Sequence, residues 1–165
     1  MRPYLAPLPL LIVLLGCDPA EKTCADPLEF TTGSLEGSGA VDGTVPQQPA
    51  VFDASISLYF DCEQHEDSFV VKGGALVDTD QKTKLFDLDG EFAQSPATVG
   101  AAACSEGSSG SRKVGLEISG PSNEELFGHC GKKLWMEVTV VREGCAETGG
   151  AAEQLFASQV FITCP

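Results

Sequence analysis

"VFDASISLYF" (residues 51–60) decides the fold class. Phe52, Ala54, Ile56, Leu58 and Phe60 alternate with Asp53, Ser55 and Ser57, so an extended chain turns its apolar set to one side and its polar set to the other. "KLWMEVTVV" (133–141) repeats the pattern, with Leu134, Met136, Val138 and Val140 inward and Glu137 and Thr139 outward. "KVGLEIS" (113–119) offers Val114, Leu116 and Ile118. Weaker strand signals lie in "PLEFTT" (27–32), with Leu28 and Phe30 on one face, and in "SFVVKGGALV" (68–77), "KLFDLD" (84–89) and "LFASQVFIT" (155–163).

Strand segments of this kind, separated by turn-rich connections, predict an all-β domain: an antiparallel β-sandwich of about seven strands. The Gly/Ser-rich stretches "GSLEGSGAVDGTVPQQP" (33–49) and "AQSPATVGAAACSEGSSGS" (93–111) read as its longest loops. "PSNEELFG" (121–128) reads as one helical turn, with Ser122 and Glu125 spaced as a capping box and Gly128 ending it. "AAEQLFAS" (151–158) is compatible with either helix or strand. No internal repeat is present.

The N-terminus has a different character. Arg2 and the α-amine precede an apolar run from Leu5 to Leu15, which is shorter than the ~20 residues a membrane-spanning helix requires. Leu14-Leu15-Gly16-Cys17 then resembles the lipobox of bacterial lipoproteins, with an aliphatic residue, a small residue and a cysteine in the required order. The resemblance covers residues 1–18. It implies a signal peptide over 1–16, cleavage before Cys17, and a diacylglyceryl group on the Cys17 thiol. The expected organisation is then a short lipid tether (17–26) and one domain (27–165) in the bacterial cell envelope, facing the periplasm or the exterior. Cys24 lies seven positions after Cys17, a reach of at most ~25 Å, so the domain would sit beside the bilayer. Inner and outer membrane both remain open.

Cysteine arithmetic agrees. Setting Cys17 aside from the seven cysteines leaves Cys24, Cys62, Cys104, Cys130, Cys145 and Cys164, an even number suited to three disulfides in an oxidising compartment. Inferred strand directions pair Cys24 with Cys62, Cys104 with Cys145, and Cys130 with Cys164, the last across a terminal hairpin.

Charge narrows the partners. The chain has a net charge of −14, and loss of Arg2 with the signal leaves nine basic against 24 acidic residues, a net −15. A nucleic-acid partner is therefore not expected, because phosphate binding needs a concentrated basic surface. Arg112-Lys113 and Lys132-Lys133 are only isolated pairs.

No catalytic motif stands out. "GSSGS" (107–111) lacks the register of a nucleophile elbow. Cys62-x-x-His65 with His129-Cys130 would make a tetrahedral zinc set, but disulfides use the same cysteines more simply in this compartment. The most prominent cluster is the acidic hairpin "DTDQKTKLFDLDGE" (78–91). Asp87 and Asp89 share a strand face there, and Asp78 and Asp80 lie across a tight turn, so convergence of the four would offer calcium its oxygen ligands. Trp135 and Tyr59 fall on outward faces, where an aromatic side chain suits a protein or glycan contact. The expected function is a membrane-anchored binding or structural module of the envelope, not an enzyme. The alternatives are a calcium-binding envelope module and a hydrolase or metal-dependent enzyme working at the membrane surface.

Overall fold

A computed structural model describes residues 22–28, 30, 32–61, 67–80, 82–100, 109–148 and 150–165. Eight strands follow in chain order: β1 (Thr32–Ala40), β2 (Pro49–Asp61), β3 (Asp67–Asp78), β4 (Lys84–Phe92), β5 (Ala97–Val99), β6 (Ser109–Ser122), β7 (Lys133–Arg142) and β8 (Glu153–Thr163). One helical turn, α1 (Asn123–Phe127), separates β6 from β7. The all-β expectation holds. The sandwich does not: seven strands run β4-β6-β2-β1-β8-β7-β3, and β3 pairs back onto β4, closing a barrel, with β5 added beside β3.

Two junctions produce the closure. β4 changes partner midway, since its first half pairs with β3 (Gly74↔Leu88, Val77↔Lys84) and its second half with β6 (Asp89↔Ser119, Phe92↔Leu116). β1 lies parallel to β8 (Gly39↔Ile162) while pairing antiparallel with β2 (Leu35↔Ile56). A sandwich would leave these edges unpaired, and closure satisfies their backbone groups.

The stretch expected to be a loop supplies the barrel's tightest strand. On β1 the alternation is Gly33, Leu35, Gly37, Gly39, and it points inward. A Cβ at Gly33 would lie 2.5 Å from a ring carbon of Phe156, and one at Gly39 2.8 Å from the Phe52 ring. Glycine is used here so that large aromatic side chains from β2 and β8 can occupy the lumen. The lumen is filled with apolar side chains, including Phe52, Ile56, Leu58, Leu76, Leu116, Met136, Val138 and Ile162. Burying each contributes roughly 1.5–3 kcal/mol.

The expected strand over 27–32 is also corrected. Of its described residues only Thr32 is in a strand, and Phe30 instead packs its ring against Phe69 (5.7 Å) and Phe156 (5.8 Å). Phe69 in turn meets Phe92 edge-on at 5.1 Å. At 151–158 the chain makes a short 3-10 turn (Gly150–Ala152) and then enters β8. The helical turn after Ser122 forms with both halves of its capping box.

Candidate functional site

The strand directions define two poles. One gathers the end of β7, the starts of β3 and β8, and the N-terminal segment. The other gathers the end of β8, the start of β7, the loop 41–48 and α1.

At the first pole, residues 23–27 are fastened twice. Cys24 is joined to Cys145. Arg142, the last residue of β7, donates from Nη1 to the carbonyl oxygens of Thr23 (2.6 Å) and Asp26 (2.8 Å), and from Nη2 to that of Pro27 (2.7 Å). The same guanidinium grips Asp67 through Nε and Nη2, each at 3.0 Å. A planar fork with five donors suits this task, where lysine would supply a point charge. Val141, Cys145 and Ala152 form a small satellite core beneath the segment, with Cys24 and Val70 against it. Thr23 donates from its backbone N–H and its hydroxyl to Asp26 Oδ2, and these bonds hold the Asp26 carboxyl below its usual range.

The Cys24–Cys145 bridge overturns the expected Cys24–Cys62 and Cys104–Cys145 pairs. The reason lies in strand order: β6 pairs with β2 and β4, not with β7, and the partner of β2 is β1 rather than the segment that follows Cys24. Cys130 and Cys164 are joined as the antiparallel β7–β8 hairpin implies. Cys17, Cys62, Cys104 and His65 lie outside the described residues, as does Gly107-Ser108 of "GSSGS".

The acidic hairpin forms, but its carboxylates do not converge. Asp78 Oδ1 accepts from the Asp80 backbone N–H within the turn (2.8 Å), Asp87 pairs with Lys84 (2.7 Å), and Asp89 stands opposite Ser119 on β6. The pleat that puts Asp87 and Asp89 on one face also carries them away from the turn, and the partner switch of β4 falls between them. Among the described residues no three His, Cys, Asp or Glu side chains gather as a metal site requires. Of the zinc set, Cys130 is joined to Cys164 and so supplies no thiolate ligand. His129 instead packs edge-on against Phe86 (5.5 Å), with Nδ1 buried and without a hydrogen-bond partner. Burial first, then Lys132, lowers its pKa, and Asp78 pulls the other way.

The second pole carries a groove of about 280 Å³ lined by Val41, Gly43, Pro46, Asn123, Glu124 and Phe127. Its shape is set by Asn123, which is almost fully buried. Asn123 Nδ2 donates to the carbonyl oxygens of Val45 (3.0 Å) and Gln48 (3.1 Å), and its Oδ1 accepts from the Asp42 backbone N–H (2.9 Å). The loop 41–48 is thereby held in place against the helix, and Phe127 stands 59% exposed at its edge. Glu124 adds a carboxylate that accepts from Gln47 Nε2. Chemically this is an apolar contact surface with one acidic rim position.

Trp135 is half-buried on the barrel wall, whereas Tyr59 is 50% exposed. Of the basic pairs, Arg112 donates to Thr98, and Lys113 is on the surface, paired with Glu36 at 3.0 Å. A second acidic feature follows from strand order alone: Asp53, Glu117 and Glu91 stand side by side on β2, β6 and β4, all exposed. The residues that matter most at the first pole, Arg142 and Asp67, leave one faint signal in the sequence, a charged residue closing apolar β7 and another opening apolar β3.

No helix of the described residues is long and apolar enough to cross a membrane. No family model matches the chain, and neither a curated protein nor a solved structure does.

Proposed function

We propose that this chain is a bacterial cell-envelope lipoprotein, anchored through lipid on Cys17, whose barrel acts as a binding or structural module facing the periplasm or the exterior. One observation carries the reading. Residues 23–27 are locked to the barrel by the Cys24–Cys145 bridge and by three Arg142 hydrogen bonds, so the tether leaves from a fixed point. A lipid seven residues upstream then holds one pole within ~25 Å of the bilayer, and the groove beside Phe127 is presented from the opposite pole.

The anchor has a physical requirement. Each buried CH₂ contributes ~0.8 kcal/mol, and two or more acyl chains are needed for stable attachment. Intact-mass analysis of the protein from bacterial envelopes is expected to show a mature N-terminus at Cys17 with acyl mass added. Cys17→Ser is expected to block acylation and the cleavage that depends on it. An N-terminus cut elsewhere, without acyl mass, would remove the anchor from this reading. For the groove, Phe127→Ala is expected to reduce cross-linking to envelope partners while leaving the thermal midpoint within about 2 °C; unchanged cross-linking would move the contact surface elsewhere.

A further inference from the structure

An outward row on the barrel wall differs from the rest of this acidic surface. Thr32 opens β1 and pairs with Tyr59 of β2, which pairs in turn with Ser111 of β6. On the other side, β1 runs parallel to β8 with Gly39 matched to Ile162 and Ala40 to Thr163; carried back along both strands, that offset sets Thr32 beside Leu155, which pairs with Thr139 of β7. Gly33 lies against Phe156 on the inward face, as that offset requires. Tyr59, Thr32 and Leu155 therefore follow one another on three neighbouring strands without a charge among them, and Ser111 and Thr139 lie to either side where the wall curves away. Tyr59 and Leu155 are 50% and 53% exposed, two of the five large apolar side chains that stand out among the described residues.

The cations flanking this row are paired, and Asp61 on β2 and Glu137 on β7 are the carboxylates next to it. Lys113 is bound to Glu36 at 3.0 Å, and Lys72 to Glu153 at 2.7 Å. The unrelieved carboxylates Asp53, Glu117 and Glu91 lie further toward the opposite pole. The row starts at Thr32, five residues beyond the last carbonyl that Arg142 holds, so it belongs to the half of the barrel where the tether leaves.

We propose that this row rests on the membrane interface, with Leu155 reaching the acyl boundary and Tyr59 placing its ring among the headgroups. The inference depends on the Cys17 anchor proposed above. The occupant is a lipid surface because the tether is too short to take this wall far from the bilayer, and because an amphipathic aromatic beside an aliphatic residue suits the headgroup level. The row runs across the strands near the end where the tether leaves, so the barrel tips that end of this wall toward the lipid.

Tryptophan reporters in the acylated full chain test it. In a Trp135→Phe background, Tyr59→Trp and Leu155→Trp are made separately, with Phe127→Trp as the reporter at the far pole. Each protein is inserted by its lipid into phosphatidylcholine/phosphatidylglycerol vesicles with brominated acyl chains. The reporters at 59 and 155 are expected to lose half or more of their emission, while the reporter at 127 stays bright. Two different positions keep the test informative if one variant folds poorly. Acyl mass on Cys17 with reporters at 59 and 155 no dimmer than that at 127 overturns the inference alone. Absence of acyl mass overturns the anchor and this inference with it. Bright reporters together with a concentration-dependent dimer that Leu155→Glu dissociates would assign the row to a second copy of the chain instead, and also overturn it.

Discussion

Arg142 and Asp67 meet in a two-pronged ion pair, Nε to Oδ1 and Nη2 to Oδ2, at a place where each side chain is more than nine-tenths buried. The pair joins the end of β7 to the start of β3, and the guanidinium edge left over holds the N-terminal segment. Removing one partner strands the other as a buried charge, which costs about 3–5 kcal/mol. Arg142→Ala is expected to lose stability of that order in urea unfolding with disulfides intact. Arg142→Lys keeps the charge but not the fork, and should recover only part of the loss. Equal stability of Arg142→Ala and the native protein would show that the clamp contributes nothing.

Disulfide mapping gives a second check. Non-reducing peptide analysis is expected to return Cys24 with Cys145 and Cys130 with Cys164. The Cys24–Cys145 bridge closes 121 residues, worth about 5 kcal/mol in the chain-entropy model, against about 4 for the 34 residues closed by Cys130–Cys164. Loss of the first bridge should therefore destabilise at least as much as loss of the second. A Cys24–Cys62 peptide would contradict the strand order.

What could be read from the chain was what is local. The alternation from Phe52 to Phe60 and from Leu134 to Val140 reports burial directly, and Ser122 with Glu125 reports a cap. The β7–β8 hairpin follows from adjacency in sequence, which is why the Cys130–Cys164 bridge was readable. Barrel closure depends instead on which distant strands meet, and on β4 leaving β3 for β6, neither of which leaves a periodic mark. The glycines of β1 misled for a related reason. Gly33, Gly37 and Gly39 look like loop residues until Phe52 and Phe156 from other strands are known to need their space. The clamp leaves in the sequence only the charged residues at the ends of β7 and β3, because its other ligands are backbone carbonyls of residues 23, 26 and 27, which no side-chain pattern encodes.

Those glycines supply the third prediction. Gly33→Ala would push a Cβ to 2.5 Å from the Phe156 ring, and overpacking of this kind costs about 1–3 kcal/mol. At Gly37 the nearest atom is the Ala54 Cβ at 3.2 Å, so Gly37→Ala should cost less. Phe156→Leu combined with Gly33→Ala should show less than the sum of the two single losses, measured by thermal or urea unfolding. Full additivity would mean that the ring and the glycine do not share the space.

On the outer wall, Glu117 stands directly between Asp53 and Glu91 in the cross-strand register. Like charges in such pairs destabilise by roughly 0.2–1 kcal/mol. Glu117→Lys is therefore expected to raise stability by an amount of that order at low salt, and the gain should shrink at high ionic strength as screening takes over. A destabilised variant at low salt would contradict the repulsion.

The last prediction concerns acid. His129 has its pKa lowered below 6.5, first by burial and then by Lys132, against a smaller pull from Asp78. Its Nδ1 is buried without a partner, and its ring packs edge-on against Phe86. The fold thus favours the neutral imidazole, whereas the unfolded chain takes up a proton at its ordinary pKa. Between the two values the unfolded state binds more protons, so stability rises with pH across that window. The contribution is fully present above about pH 6.5 and is lost as pH falls through the folded-state pKa. Thermal midpoints measured from pH 8 to pH 5 are expected to fall more steeply for the native protein than for His129→Phe, which keeps an aromatic ring against Phe86 and cannot charge. Parallel curves would place the acid sensitivity on the carboxylates instead. Of these, Asp26, Asp42 and Glu125 are held below their usual range by hydrogen bonds from Thr23, Thr44 and Ser122, and they protonate lower in pH than the window tested.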